Sequence, residues 1–201
     1  MTDSLPQIDP HRAALLVMDY QNGIVDMLGE PDDLLSLAAN AIATVRRAGG
    51  QVGYVRVAFE DADLEAVPPT SRMGQRARTM GNTLHADSPT TAVHERVAPE
   101  PGDIVVRKVR VGAFSTTDLD ARLRERGVET LILAGISTSG VVLSTVRDAT
   151  DRDYRVLVLA DATADPDPEV HAFLTERIFP RQTDVITVSE LEELLSTAGG
   201  S

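Results

Sequence analysis

The sequence predicts a three-layer Rossmann-like α-β-α sandwich with a six-stranded, mostly parallel sheet. Short apolar runs recur along the chain, and several are apolar at every position, which is typical of strands buried on both faces. Segments with helical periodicity lie between these runs. This alternation indicates right-handed crossovers between parallel strands, with helices covering both faces of the sheet.

The predicted elements follow from these two patterns. The strands are Ala13–Met18, Gln51–Ala58, Asp103–Arg107, Thr130–Ala134, Arg155–Ala160 and Asp184–Val188. The helices are Asp32–Ala48, Met73–Met80, Thr117–Arg126, Ser139–Arg152, Pro168–Phe179 and Ser189–Ser196. Gly49, after the helix Asp32–Ala48, and Gly127, after Arg126, mark helix ends. Thr117 and Ser189 are expected N-caps.

The 201 residues fit a single domain, 1–201, with a core from about 11 to 190. The exception to the alternation is the segment 60–100, which is rich in Pro, Thr, Arg and His and is expected to cover a pocket. Residues 1–10 are expected to be weakly ordered, and the tail 197–201 flexible.

Composition excludes several classes of function. The net charge of −12 argues against binding to nucleic acid or to an anionic membrane. The absence of cysteine excludes disulfides, thiolate metal sites and a cysteine nucleophile. No apolar run is long enough to span a bilayer and no secretory signal is visible, so a cytoplasmic location is expected.

No cofactor or metal is expected. His85, His94 and His171 are not spaced as ligand pairs, and His171 falls inside a predicted helix, where a structural role is expected. Glycine-rich nucleotide-binding motifs and the serine elbow of α/β-hydrolases are also missing. A small-molecule substrate is the expected partner, because sheets of this kind bind ligands at the carboxyl ends of their strands.

Parallel sheets bind ligands beyond the carboxyl ends of their strands, where three stretches stand out. Asp19 follows the first strand and Lys108 the third, so the two could form an ion pair. The alternative role for Asp19 is to cap a helix or to bond to a loop. The alternative for Lys108 is an exposed position on the surface. After the fourth strand, the turn 135–142 is rich in Gly, Ser and Thr and leads into a helix, so its N–H groups could bind an anion or only be capped.

Four motifs in order resemble the isochorismatase-like hydrolases, also called cysteine hydrolases. An apolar strand followed by D-x-Q matches Leu15–Gln21, and K-x-x-x-S-A-F-x-x-T-x-L matches Lys108–Leu119 with Gly112 in place of Ser. The long glycine-threonine-cysteine motif matches Gly135–Ala149, and V-x-D-A-x-A matches Val158–Ala164. The resemblance covers residues 11–190 and implies the same fold, with a homodimer or homotetramer as the expected assembly.

The resemblance implies a site with one decisive substitution. Asp19 and Lys108 correspond to catalytic residues, but the nucleophilic cysteine falls at Val141, which cannot form a covalent intermediate. A cis peptide is expected at Ile136–Ser137, with the N–H groups of Ser137 and Val141 facing the substrate. Further pocket candidates, two of them on that turn, are Gln21, Phe59, Phe114, Ser139 and Gly140.

Some isochorismatases also work without the cysteine, by vinyl-ether hydrolysis, and this resemblance implies Asp19 as general acid and Lys108 as its partner or as the anchor of a substrate carboxylate. One alternative is an amidase in which Ser137 or Ser139 replaces the thiol. The other is an inactive homologue that binds a metabolite or a partner protein. Arg72, Arg76 and Arg78 of the segment 60–100 could bind an anionic substrate or form a solvated face.

Overall fold

A computed structural model describes the backbone of residues 7–198 and the side chains to residue 196. Residues 1–6 and 199–201, which include parts of the two predicted weakly ordered ends, lie outside the described residues, whereas residues 197 and 198 belong to the last helix.

The central sheet has six parallel strands, which confirms the predicted fold class. The strands are β1 (Ala13–Met18), β2 (Gln51–Val57), β3 (Ile104–Lys108), β4 (Thr130–Ile136), β5 (Arg155–Ala164) and β6 (Asp184–Ile186), in the order β3-β2-β1-β4-β5-β6. All five neighbouring pairs are parallel. The winding direction reverses between β1 and β4, so the carboxyl ends of these two strands form the expected ligand-binding edge.

Helices cover both faces of the sheet. The α-helices are α1 (Asn22–Val25), α2 (Asp32–Arg47), α3 (Asp61–Ala66), α4 (Arg72–Met80), α5 (Leu119–Glu125), α6 (Leu143–Asp151), α7 (Pro168–Phe173) and α8 (Val188–Ala198). Apolar residues of α2 and α8, such as Leu35 and Leu191, pack with one face. Residues of α5 and α6, such as Leu123 and Val146, pack with the other. Burial of these two apolar layers holds the three-layer sandwich together.

Several predicted boundaries differ from the structure. The helix predicted from Ser139 begins as a π-helical turn over Thr138–Val142, and Pro168–Phe179 divides into α7 and a second π-helical turn over Leu174–Ile178. Ser189 is not an N-cap. Helix α8 begins one residue earlier, and Thr187 Oγ1 accepts the Glu190 N–H while the Glu190 carboxylate accepts the Thr187 N–H, at 3.2 and 2.7 Å.

The segment 60–100 contains α3, α4 and three short 3₁₀ turns. Val67 and Ala77 of this segment pack with Val57, the last residue of β2, and with Phe59, two residues later, in a small apolar cluster. Val109, next to Lys108, packs against the same cluster. The segment therefore lies over the carboxyl ends of β2 and β3.

Near the end of β5, one buried hydroxyl has no hydrogen-bond partner in the part of the chain that the structure describes. Thr163 pairs in register with Gly135 of β4, and its Oγ1 is buried without a hydrogen bond to any described residue. Replacing a buried unpaired hydroxyl by a methyl group removes a polar group whose burial costs about 1–3 kcal/mol.

We therefore expect Thr163→Val to raise the free energy of unfolding by about 1 kcal/mol, as measured by urea denaturation. Thr163→Ser, which keeps the hydroxyl and deletes the methyl group, is the matched control and should lower it by about 1 kcal/mol. A loss of stability in Thr163→Val would mean that the hydroxyl has a bonding partner in the folded protein.

Candidate functional site

Asp19 and Lys108 form a buried ion pair at the carboxyl edge of the sheet, as the sequence predicted. Asp19 directly follows β1 and has a positive φ of 58°, and Lys108 is the last residue of β3. Lys108 Nζ lies 2.9 Å from Asp19 Oδ2, and the two side chains are 2% and 7% exposed. Because β2 separates β1 from β3, the pair forms across the end of that middle strand.

The two carboxylate oxygens of Asp19 have different surroundings. Oδ2 contacts the ammonium group, which also donates to the Arg110 carbonyl at 3.2 Å. Oδ1 is buried and has no hydrogen-bond partner among the described residues. Burial raises the pKa of Asp19 above its ordinary value, and this effect outweighs the opposing influence of the Lys108 ammonium. The arrangement therefore favours a protonated carboxyl group more than water does.

Lys108 is the single lysine in the sequence, since every other cationic side chain of the Lys and Arg type is an arginine. An ammonium group is a compact point charge, whereas a guanidinium is planar and larger. A site that needs a small buried cation therefore explains a lysine at this position. The sequence carried this signal in its composition, although the motif argument did not use it.

The turn after β4 has the predicted cis peptide bond between Ile136 and Ser137. Past this bond the Ser137 carbonyl accepts the N–H groups of Gly140 and Val142, at 3.2 and 3.3 Å. A Cβ at Gly140 would lie 2.7 Å from Ser137 Oγ, so a side chain there would require the serine hydroxyl to move. Val141 is 2% exposed and packs in the core cluster on this face of the sheet.

Of the two serines that could replace the missing thiol, Ser139 has its hydroxyl bound to another side chain. Ser139 Oγ donates to Asp165 Oδ2 at 2.6 Å, and the Ser139 N–H donates to the same oxygen at 2.8 Å. No serine hydroxyl occupies Asp19 Oδ1 among the described residues. The structure therefore offers no support for a serine nucleophile activated by Asp19.

Two pocket candidates belong to the scaffold. The Gln21 amide donates to the carbonyls of Val57 and Thr91 and accepts the Val57 N–H, so its polar atoms join β2 to the segment 60–100. Phe114 stacks on Tyr154 with ring centroids 6.0 Å apart. Tyr154 immediately precedes β5, at the opposite edge of the sheet, and this contact directs the Phe114 ring away from Asp19.

The remaining candidates differ in their surroundings. Phe59 is buried in the apolar cluster beneath α3 and α4, close in sequence to the end of β2. Arg78 donates to the carbonyls of Leu64 and Val67, both at 2.7 Å, and so holds α3 against α4. Arg72 and Arg76 are exposed, which fits the solvated face that the sequence left open.

Sequence reasoning missed two residues behind the turn. His171 Nδ1 lies 2.8 Å from Thr138 Oγ1, and Asp165 bonds Ser139 as described above. His171 is 33 residues from Thr138 in the chain, and its helix gave no sign of the contact. Within residues 7–198, no three His, Asp or Glu side chains are grouped as a metal site, and no helix is long and apolar enough to cross a membrane.

The ion pair yields a stability prediction. At a pH above the pKa of Asp19, where its carboxylate is charged, Asp19→Asn leaves the buried Lys108 ammonium without its counter-charge, and we expect it to lower the free energy of unfolding by about 3–5 kcal/mol. Adding Lys108→Met should recover most of this loss, because the second change removes the unpaired charge. Urea denaturation of the two single variants and the double variant measures the coupling.

Glu129→Gln is the control for this experiment, because Glu129 pairs with Arg12 at an exposed position. We expect it to cost less than about 1 kcal/mol. Equal losses in Asp19→Asn and Glu129→Gln would contradict a buried pair.

Comparison with known proteins places this geometry in a family. Residues 13–190 match the model of the isochorismatase domain. A ureidoacrylate amidohydrolase of Methylobacterium radiotolerans is 35% identical over 81% of this chain and 70% of its own length. An uncharacterized isochorismatase family protein of Bacillus subtilis, YwoC, is 31% identical over 92% of this chain and 95% of its own.

Solved structures agree with the sequence relatives. A cysteine hydrolase from Pseudomonas syringae has a TM-score of 0.85 and 27% identity, covering 98% of this chain and all of that one. N-carbamoylsarcosine amidase from Thermoplasma acidophilum has a TM-score of 0.70 and 28% identity, covering 88% and 96%. The chain therefore belongs to the isochorismatase family, and it has no cysteine.

Proposed function

We propose that this protein hydrolyses a small carboxylated metabolite of the vinyl-ether type without a covalent intermediate, with Asp19 as general acid. The observation that carries the proposal is the asymmetry of the Asp19 carboxyl group. Its Oδ2 is bound by Lys108, and its Oδ1 is buried without a hydrogen-bond partner among residues 7–198. A proton on Oδ1 would therefore be directed to a bound substrate rather than to a neighbouring side chain.

The cysteine-dependent covalent route of the family is not open to this chain. Valine at position 141 has no group that can attack a carbonyl carbon, and the sequence contains no cysteine to substitute for it. The relatives named as an amidohydrolase and an amidase therefore guide the proposal for this chain by their fold and by the shape of their substrates. A thioester mechanism is not part of the proposal.

The proposed reaction is the addition of one water molecule across an enol ether. Asp19 donates its proton to the terminal vinylic carbon, and the ether oxygen stabilises the resulting oxocarbenium ion. Water then adds to the cationic carbon and returns a proton to the Asp19 carboxylate. The hemiketal that forms breaks its bond to the leaving oxygen, which gives a ketone and an alcohol, so that Asp19 ends protonated as it began.

Lys108 has two tasks in this scheme. When Asp19 is protonated, the ammonium group has no full counter-charge and can hold a substrate carboxylate. When Asp19 has given up its proton, the same ammonium stabilises the new carboxylate at 2.9 Å. The pair is thus arranged to favour the charge distribution that develops during proton transfer.

The name of one relative supports this class of substrate. Ureidoacrylate, as named for the Methylobacterium radiotolerans protein, is a carboxylate joined to a carbon–carbon double bond that carries nitrogen. An enol ether acid likewise carries a heteroatom, here oxygen, on a carbon of its double bond. Both are small anions with an electron-rich double bond, which is the feature that protonation by Asp19 requires.

The second candidate function is binding of a metabolite or partner protein without turnover, which the apolar residue at the nucleophile position favours. Assembly as a homodimer or homotetramer remains a prediction from the family resemblance.

The test is release of pyruvate from isochorismate by the purified protein. We expect the wild type to turn over and Asp19→Asn to lose about 100-fold or more in kcat, because Asn cannot donate a proton to carbon. Since only the protonated carboxyl is active, the rate should fall as pH rises through the pKa of Asp19, which burial places above its ordinary value of 3.8.

Asp87→Asn is the matched control, because this carboxylate is 94% exposed and lies outside the site, and its rate should equal that of the wild type. Equal rates for Asp19→Asn and wild type would remove Asp19 from the chemistry. A folded wild-type protein that releases no pyruvate would reject isochorismate as substrate and make the binding role the leading account.

A further inference from the structure

The turn that carries Val141 is held from outside by two side chains that follow β5. His171 Nδ1 and Thr138 Oγ1 are 2.8 Å apart. Asp165 Oδ2 accepts both the N–H and the Oγ–H of Ser139. Because Thr138 and Ser139 are consecutive, the two contacts hold the turn at one point. Thr138 lies three residues before Val141, and Ser139 lies two residues before it.

We propose that His171 is a positioning residue for the candidate site and that it acts through Thr138 on the turn Thr138–Val142. The Thr138 side chain is completely buried, so its hydroxyl needs a partner within the protein. The imidazole supplies that partner. A change in the ring would therefore be felt at the start of the turn, although His171 itself lies on α7.

The protonation state of the ring fits this role. Burial lowers the pKa of His171, and Asp165 and Glu176, the charged groups that face the ring, oppose this effect without overcoming it. The imidazole is therefore neutral at neutral pH, and a neutral ring with its proton on Nε2 can accept the Thr138 hydroxyl proton at Nδ1.

A hydroxyl hydrogen-bonded to an imidazole is also the arrangement of a nucleophile and its base, but the geometry here opposes that interpretation. The Thr138 side chain is enclosed, which leaves no approach for a carbonyl carbon. The contact therefore supports the turn, and it affects chemistry at position 141 through the backbone that connects Thr138 to Val141.

The test uses a thiol placed on the turn. Val141→Cys introduces the only cysteine of the chain, so alkylation by iodoacetamide reports on position 141 alone. The rate constant is measured across a pH series, which gives the apparent pKa and the intrinsic reactivity of the thiol. The same series is measured with Thr138→Val, Thr138→Ser, His171→Leu or His171→Asn added to Val141→Cys.

We expect Thr138→Val and His171→Leu to change the rate constant by about threefold or more and to shift its pH profile, because the turn loses its anchor. Thr138→Ser keeps the hydroxyl, and His171→Asn places an amide close to the position of Nδ1. Both should retain the profile of Val141→Cys to within about twofold. His94→Leu, which changes a half-buried imidazole far from the turn in sequence, is the matched control and should leave the profile unchanged.

Profiles for Thr138→Val and His171→Leu that superimpose on that of Val141→Cys would overturn the proposal, even if the melting temperature falls, because the role would then be structural only. If His171→Leu fails to fold, Thr138→Val decides, since valine keeps the shape of threonine. The inference concerns the same site as the proposed function. Its test needs no substrate, so the two can fail separately.

Discussion

The site of this protein depends on one buried contact, the ion pair between Asp19 and Lys108. Two charges enclosed at the end of a sheet are costly unless each satisfies the other, so this contact constrains the residues around it. Asp19 turns out of β1 with a positive φ, and Lys108 must be the last residue of β3 for its stem to reach past β2. The strand order therefore brings Asp19 and Lys108 within contact distance, in addition to forming the core.

The same constraint explains what surrounds the pair. Gln21 joins the end of β2 to the segment 60–100 through three hydrogen bonds, and α3 and α4 pack over the same edge. These contacts exclude water from the two charges, which strengthens their attraction and raises the pKa of Asp19. A carboxyl group whose pKa is raised by burial is suited to general acid chemistry, and Val141 provides no nucleophile at its own position.

Much of the fold could be predicted because it depends on apolar patterning. The continuous apolar runs of β1 and β4 and their alternation with helices predict the sheet, and the same pattern places Asp19 and Lys108 at strand ends on one edge. Ends set by local hydrogen bonds were harder. Thr187 rather than Ser189 caps the last helix, because the side chains of Thr187 and Glu190 each accept the backbone N–H of the other residue. Threonine and serine are both common N-cap residues, so the sequence does not distinguish them.

The site was predicted where motifs cover it and missed where it depends on side chains far apart in the chain. Phe114 and Gln21 lie inside or beside the motifs, yet their side chains serve the scaffold, because motif position does not fix side-chain direction. The contact of His171 with Thr138 joins two elements by one hydrogen bond, and no periodicity or spacing encodes it. Packing of α7 against the turn creates it.

The most direct test of the central contact uses the fact that Lys108 is the only lysine. Protein labelled with nitrogen-15 at the lysine side chain should give a single Nζ signal, observable at neutral pH because burial and the bond to Asp19 slow exchange with water. The account predicts that this signal shifts or disappears in Asp19→Asn and is unchanged in Asp87→Asn. A wild-type Nζ signal that exchanges as fast as free lysine, or one that Asp19→Asn leaves unchanged, would contradict the ion pair on which the site depends.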